Sequence, residues 1–224
     1  TIIHIILFSL VSLAQSFSQK IQDLEFEHLT TERGLSQSII TSIGQDRMGF
    51  IWIGTEDGLN RYNGYQVDVF RREFSDKHTI SDNWIRDILL DSDGDLWVAT
   101  HNGLSKYNPA YNNFAQYQKN PDNANSVVSN YTIALCEYAG DLWIGTGDEG
   151  ISRYNKRTNT FTHYKFSSEN PKSLPDNDIK CFLIDKSNTL WVGTNNGLAK
   201  YDNNTDSFVR YQKGKDSKFR LTAN

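Results

Sequence analysis

Phe50-Ile-Trp52-Ile-Gly54-Thr-Glu-Asp-Gly58-Leu-Asn-Arg61-Tyr62, residues 50–62, is a phrase that this chain repeats three more times with small changes. It returns as Leu96-Trp97-Val-Ala99-Thr-His101-Asn-Gly103-Leu-Ser-Lys106-Tyr107. It returns again as Leu142-Trp143-Ile-Gly145-Thr-Gly147-Asp-Glu-Gly150-Ile-Ser-Arg153-Tyr154, and last as Leu190-Trp191-Val-Gly193-Thr-Asn-Asn-Gly197-Leu-Ala-Lys200-Tyr201. The tryptophans are spaced 97 − 52 = 45, 143 − 97 = 46 and 191 − 143 = 48 residues apart. A period of roughly 40–50 residues is the mark of a repeat architecture and outranks other signals.

Each unit parses into four short β segments. In the first, Ile39 to Gln45 leads through the turn Asp46-Arg-Met-Gly49 into Phe50 to Thr55, and Glu56-Asp57-Gly58 turns into Leu59 to Tyr62. Asn63-Gly64, a strong hairpin signal, then leads into Gln66 to Phe70. Gly49, Gly94, Gly140 and Asn188 end the first turn of successive units, as expected where the backbone needs a positive φ. Gly58, Gly103, Gly150 and Gly197 invite the same reading in the second turn. Strands this short cannot bury both faces alone, and four antiparallel strands per repeat are the arithmetic of a β-propeller blade.

The expected architecture is therefore all-β: four four-stranded blades of a seven-bladed ring, with an N-terminal closing strand. Blade one spans 34–74, blade two 75–120, blade three 121–167 and blade four 168–213, and 214–224 opens a fifth unit. Residues 19–33 hold Leu24 to Leu29, which match the outer strand of a blade and imply ring closure through the N-terminus. The four tryptophans, with Tyr62, Tyr107, Tyr154 and Tyr201 and with Phe70, Phe114, Phe161 and Phe208, are read as packing between blades. The basic residue before each tyrosine (Arg61, Lys106, Arg153, Lys200) is spread round the ring, and is structural or solvated rather than part of one site.

Ile2 to Leu13 are almost wholly apolar and the first charged side chain is Lys20. Small residues at Ser12/Ala14 and Ser16/Ser18 complete the pattern of a secretory leader over 1–18, truncated at its start, and the run is short for a membrane span. Export permits a disulfide, but Cys136 and Cys181 occupy inequivalent repeat positions and read as two buried structural thiols. A net charge of -4 supplies no basic footprint, which argues against nucleic acid as a partner. No Cys/His spacing resembles a zinc site, and neither metal nor cofactor is expected. Asp91-Ser-Asp-Gly-Asp95 looks like a calcium loop but lacks the later ligands and the bidentate Glu.

The run Gly34-Leu-Ser-Gln-Ser-Ile-Ile-Thr-Ser-Ile-Gly-Gln-Asp-Arg-Met-Gly-Phe-Ile-Trp-Ile-Gly-Thr-Glu-Asp-Gly-Leu-Asn-Arg-Tyr-Asn-Gly64 resembles the two-component regulator propeller repeat. The resemblance covers about 24 to 224, with Ala99 in place of the small Gly and one extra residue in Gly147-Asp-Glu-Gly150 as its departures. It implies a periplasmic sensor region of a larger hybrid two-component histidine kinase of Bacteroidetes type. Such a parent carries an immunoglobulin-like domain, one membrane span, a kinase and often a receiver with an AraC-type domain. It acts as a homodimer, and its ligands are commonly oligosaccharides. On this reading the chain is a fragment without catalysis of its own.

Propeller ligands generally bind at one mouth of the channel, on loops leading into the innermost strand and between the second and third strands. The first set reads Ser38-Ile39, Asn83-Trp84, Asn130-Tyr131 and Asn177-Asp178. Trp84 and Tyr131 are aromatics that the repeat does not demand, suited to the apolar face of a pyranose, with Arg86 and Asp178 as polar neighbours. The second set contributes His101, Asn102, Asp148 and Glu149, for which simple turn chemistry is the competing reading. Two other functions remain open at this point: an enzyme propeller of glycosidase, lyase or quinoprotein type, and a protein-interaction scaffold. A glycosidase needs two positioned carboxylates, and Asp57, Asp148 and Glu149 cannot be paired from sequence.

Overall fold

The computed structural model describes residues 26–213. Blade one comprises β1 (Ile40–Gln45), β2 (Ile51–Thr55), β3 (Gly58–Tyr62) and β4 (Val67–Phe70). Blade two comprises β5 (Ile85–Leu90), β6 (Leu96–Thr100), β7 (Gly103–Asn108) and β8 (Asn113–Tyr117). Blade three follows with β9 (Thr132–Tyr138), β10 (Asp141–Thr146), β11 (Ile151–Asn155) and β12 (Thr160–Tyr164). Blade four is β13 (Ile179–Ile184), β14 (Leu190–Thr194), β15 (Gly197–Asp202) and β16 (Ser207–Tyr211). Every sheet is antiparallel and pairs its strands in chain order. The first strands β1, β5, β9 and β13 contact one another in succession, so they form the inner wall.

Turn chemistry follows the residues that the repeat offers. Gly49, Gly94 and Gly140 have φ of 89°, 92° and 82°, and Asn188 takes the same left-handed region at 56°. Each innermost strand carries a one-residue bulge, at Thr41, Arg86, Ile133 and Lys180, where pairing with the second strand slips by one. A bulge re-aims its side chain, here at the end of the blade that faces the channel mouth.

The hydrophobic core lies between blades. Trp52 packs against Ile85, Ile88, Val98 and Tyr107 of blade two. Trp97 does the same with Leu135, Leu142 and Tyr154 of blade three, and Trp143 with Ile179, Val192 and Tyr201 of blade four. All three indoles are 1% exposed, so each joint is closed over its tryptophan. The basic residue before each tyrosine stands over the tryptophan ring of its own blade, 5.2–5.9 Å from the ring centre. Arg61 also donates to Tyr107 Oη at 2.8 Å and Asn112 Oδ1 at 3.2 Å in blade two. Arg153 repeats this with Tyr201 and Asp206 of blade four. Lys106 instead pairs with Asp95 of its own blade, so the joint between blades two and three lacks that arginine bridge.

The turn after each innermost strand supplies a further repeated bond. Asp46, Asp91 and Asp185 each accept the indole N–H six residues later, from Trp52 at 2.8 Å, Trp97 at 3.0 Å and Trp191 at 2.8 Å. The hairpin of blade three is one residue shorter: Glu137 pairs with Leu142 as Gln45 pairs with Ile51, so no aspartate fills the turn position, and Trp143 Nε1 is buried without a partner.

Cys136 is half-buried, but Cys181 is exposed on the free face of blade four, which corrects the reading of two buried thiols. Its neighbours on β13, Leu183 and Ile184, are exposed with it, because no sheet covers that face among the described residues. Of the outer strand expected at Leu24 to Leu29, Phe26 to Leu29 form no strand, and Leu24 lies outside the described residues. The leader at 1–18 and the start of a fifth unit at 214–224 also lie outside them.

Candidate functional site

The mouth is built by pairing two loops within each blade and across each joint. Because β5 and β6 are in register at Ile85 and Thr100, Trp84 stands opposite His101, and His101 N–H donates to Trp84 O at 3.0 Å. Gly147 to Tyr131 and Asn195 to Asp178 repeat this bond in blades three and four. Across the joints, Asn83 O accepts Gly58 N–H at 2.7 Å, Asn130 O accepts Gly103 N–H at 2.6 Å and Asn177 O accepts Gly150 N–H at 2.9 Å. The side chains of the same asparagines accept the backbone N–H of Arg72, Lys119 and Phe166. These asparagines are scaffold, and their recurrence two residues before three innermost strands is the signal that marks them.

On this frame four of the expected residues come together. The Trp84 and His101 rings stack at 4.8 Å and 18°, and the His101 ring meets Tyr131 edge-on at 4.5 Å and 68°. The Arg86 guanidinium, on the bulge, lies 6.0 Å from the centre of the Tyr131 ring. Trp84, Arg86 and His101 belong to blade two and Tyr131 to blade three, so the cluster straddles their joint. Gly147, which stands in blade three where His101 stands in blade two, makes room for it: a Cβ there would lie 2.5 Å from Tyr131 Cε1. Trp84 remains 37% exposed.

The other four expected residues lie outside that cluster. Asn102 donates its backbone N–H to Thr100 Oγ1 and accepts Gln118 Nε2 on its carbonyl, which is turn chemistry. Asp148 is exposed. Glu149 is held by Lys165 and by Lys119 at 3.6 Å, and the hydrogen bond from Lys165 keeps its carboxyl below the ordinary range. Asp178 pairs with Lys180 at 2.7 Å in blade four.

One inner-wall residue escaped the sequence reading. Asp87 accepts Ser42 Oγ at 3.1 Å and Leu135 N–H at 2.8 Å, tying the innermost strands of blades one, two and three. Burial pushes its carboxyl above the ordinary range. Its only signal in the sequence was a carboxylate beside Arg86 in a strand whose other residues are apolar.

Four-stranded antiparallel sheets repeated in chain order around an inner wall define a β-propeller. Residues 34–57, 79–102 and 173–196 match the two component regulator propeller family, and the chain carries that repeat. Over 80 residues it is 38% identical to histidine kinase P4 of Formosa agariphila, an alignment covering 36% of this chain and 6% of that protein. It superposes on the extracellular domain described as that of the hybrid two component system BT3049 of B. thetaiotaomicron with a TM-score of 0.62 and 27% identity. That match covers 82% of this chain and 31% of the other. Virginiamycin B lyase of Staphylococcus aureus, at 16% identity and a TM-score of 0.56 over 79% of this chain and 56% of that one, shares the fold alone. Among the described residues no helix is long and apolar enough to cross a membrane.

Proposed function

We propose that this chain is the exported ligand-sensing propeller of a two-component sensor and that its ligand is an oligosaccharide docking on Trp84, His101, Tyr131 and Arg86. The observation that carries this reading is the aromatic cluster itself. At the position of Trp84 and Tyr131 blades one and four hold Ile39 and Asp178, so the blade does not require an aromatic ring there. Aromatic faces and edges take the C–H groups of a sugar, and the planar fork of Arg86 supplies directional donors to its hydroxyls. Because the cluster spans two blades, an occupant bears on the spacing of a joint, which is a route to a downstream histidine kinase in a longer protein.

The ring of seven blades, closure by the N-terminal strand, periplasmic location and homodimerisation belong to the same reading. It is a binding module and not an enzyme, and the engagement of the mouth carboxylates supports that: Glu149 is neutralised by two lysines and Asp57 by Arg71 at 2.9 Å. The test is titration calorimetry of the full sensor ectodomain against a panel of glycan-derived oligosaccharides, paired with a transcriptional reporter. Trp84→Ala and Tyr131→Ala should each weaken binding about tenfold with unchanged thermal unfolding. A folded Trp84→Ala sensor with undiminished affinity and response overturns the assignment.

A further inference from the structure

Three half-buried cations of the blades are neutralised by carboxylates. Arg61 pairs with Asp68 at 2.7 Å and Arg153 with Asp206 at 3.2 Å. Lys156, in blade three, reaches Glu137 at 2.7 Å and crosses to Asp91 at 3.0 Å and Asp93 at 2.6 Å in blade two. Other cations near the mouth pair likewise: Arg71 with Asp57 at 2.9 Å, Arg72 with Asp82 at 3.7 Å, and Lys119 and Lys165 with Glu149. Arg86 does not. It is half-buried, yet among the described residues its guanidinium has neither a hydrogen bond nor an ion pair, only the Tyr131 ring.

Blade four holds the partner that Arg86 lacks. Lys180 stands on the bulge of β13 as Arg86 stands on the bulge of β5, and it pairs at 2.7 Å with Asp178, two residues earlier. Asp178 is the counterpart of Trp84, since the backbone carbonyls of the two accept the matching N–H groups of Asn195 and His101. Blade two thus keeps the bulge cation and has an indole where its carboxylate would be. We propose that the ligand supplies the missing anion: the oligosaccharide carries a uronic carboxylate or a sulfate ester that docks on Arg86, with an adjoining sugar ring against Trp84 and Tyr131. This rests on the sugar-sensing reading above and narrows it to acidic sugars. A guanidinium offers two parallel N–H donors that match the oxygens of either group, and such charge-assisted bonds are roughly twice as strong as those to a hydroxyl. A cation already partly withdrawn from water gives up less hydration to receive the anion.

The experiment titrates the full sensor ectodomain with short oligouronates and sulfated oligosaccharides, each matched with its carboxyl-reduced or desulfated counterpart. One anionic member should bind about tenfold tighter than its neutral match, and the series it belongs to distinguishes carboxylate from sulfate. The preference should shrink as salt is raised. Arg86→Gln should bring that pair level, and Arg86→Lys, which keeps the charge but loses the fork, should retain only part of the preference. Neutral members that bind as tightly as their anionic matches, or a preference that survives in folded Arg86→Gln, overturn the anionic group and leave the oligosaccharide reading standing. If Arg86→Gln does not fold, a preference that neither Arg86→Lys nor salt diminishes has the same force. A panel in which no member binds, acidic or neutral, overturns that reading and this one with it.

Discussion

Gly54 leaves the space in which Ile85 of the next blade seats: a Cβ on the glycine would lie 2.6 Å from Ile85 Cγ2. Gly145 and Ile179 stand in the same relation across the joint between blades three and four, again at 2.6 Å. At the intervening joint both partners change together, since Ala99 replaces the glycine and Thr132 replaces the isoleucine. Thr132 then uses its hydroxyl to bond Thr100 O at 2.9 Å and Gly103 O at 3.0 Å. Gly54→Ala or Gly145→Ala should therefore destabilise the chain by about 1–3 kcal/mol through overpacking. Thr132→Ile should do likewise, and adding Ala99→Gly should recover part of the loss. Urea unfolding of the two single variants and the double variant tests the pairing; strictly additive effects would show that the two sites do not share a contact.

The indole–carboxylate bond makes a second prediction. Asp46 accepts Trp52 Nε1 and also the backbone N–H groups of Met48 and Phe50, at 2.9 and 3.1 Å, so one side chain orders both the turn and the joint. Asp46→Ala should cost about 1–3 kcal/mol by leaving the buried indole donor unmet. Asp46→Asn keeps an acceptor oxygen and should cost less. Equal losses in the two variants would mean that the charge, rather than the acceptor, is what Trp52 requires.

The repeat made the blades legible because its constraints are local. A glycine closing the first turn of a repeat marks a positive φ, and Gly49, Gly94 and Gly140 needed no tertiary information. Trp84 opposite His101 was nearly as accessible, because antiparallel register between β5 and β6 dictates it. Tyr131 joining them depends on how one blade leans on the next, which no periodicity encodes. The turn aspartates were visible as turn residues, but their second use, on an indole six residues away, appears only when the strands fold back. Lys156 carried no signal at all: it sits in a turn whose counterparts in other blades do different work, and its partners lie up to 65 residues away.

The two thiols should separate cleanly by reactivity. Burial, with Asp87 and Glu137 nearby, pushes the Cys136 thiol up to about 11, so almost none of it is thiolate at neutral pH. Cys181 is exposed on β13. In the native chain at pH 7.5, a disulfide reagent should titrate Cys181 rapidly and reach Cys136 only on denaturation. Simultaneous labelling of both would contradict the packing of Cys136 against the joint of blades three and four.

Acid should loosen the joint of blades two and three in a definite direction. Burial would raise both Asp91 and Glu137, but hydrogen bonds from Trp97 and Lys156 to the first, and from Lys156 and Ser92 to the second, hold both below their ordinary values. A carboxyl whose value is depressed in the folded chain contributes stability above its unfolded value, and that contribution is lost as pH falls through the folded one. For these two groups the ordinary values are 3.8 and 4.5, so the loss begins near pH 4 and grows below it. Asp87 works the other way: burial raises its value, so its ionisation penalises the fold as pH rises past 3.8 through the raised value. Lys156→Met should cost about 1–3 kcal/mol at pH 7, since it leaves Asp91 and Glu137 charged without their shared cation. On acidification towards pH 3 the wild type should lose this advantage, and the two urea midpoints should converge. Asp87→Asn should behave oppositely, with the wild type gaining on the variant as pH falls. Parallel midpoints for wild type and Lys156→Met from pH 7 to 3 would mean that the lysine stabilises the joint through its aliphatic stem and not through its charge.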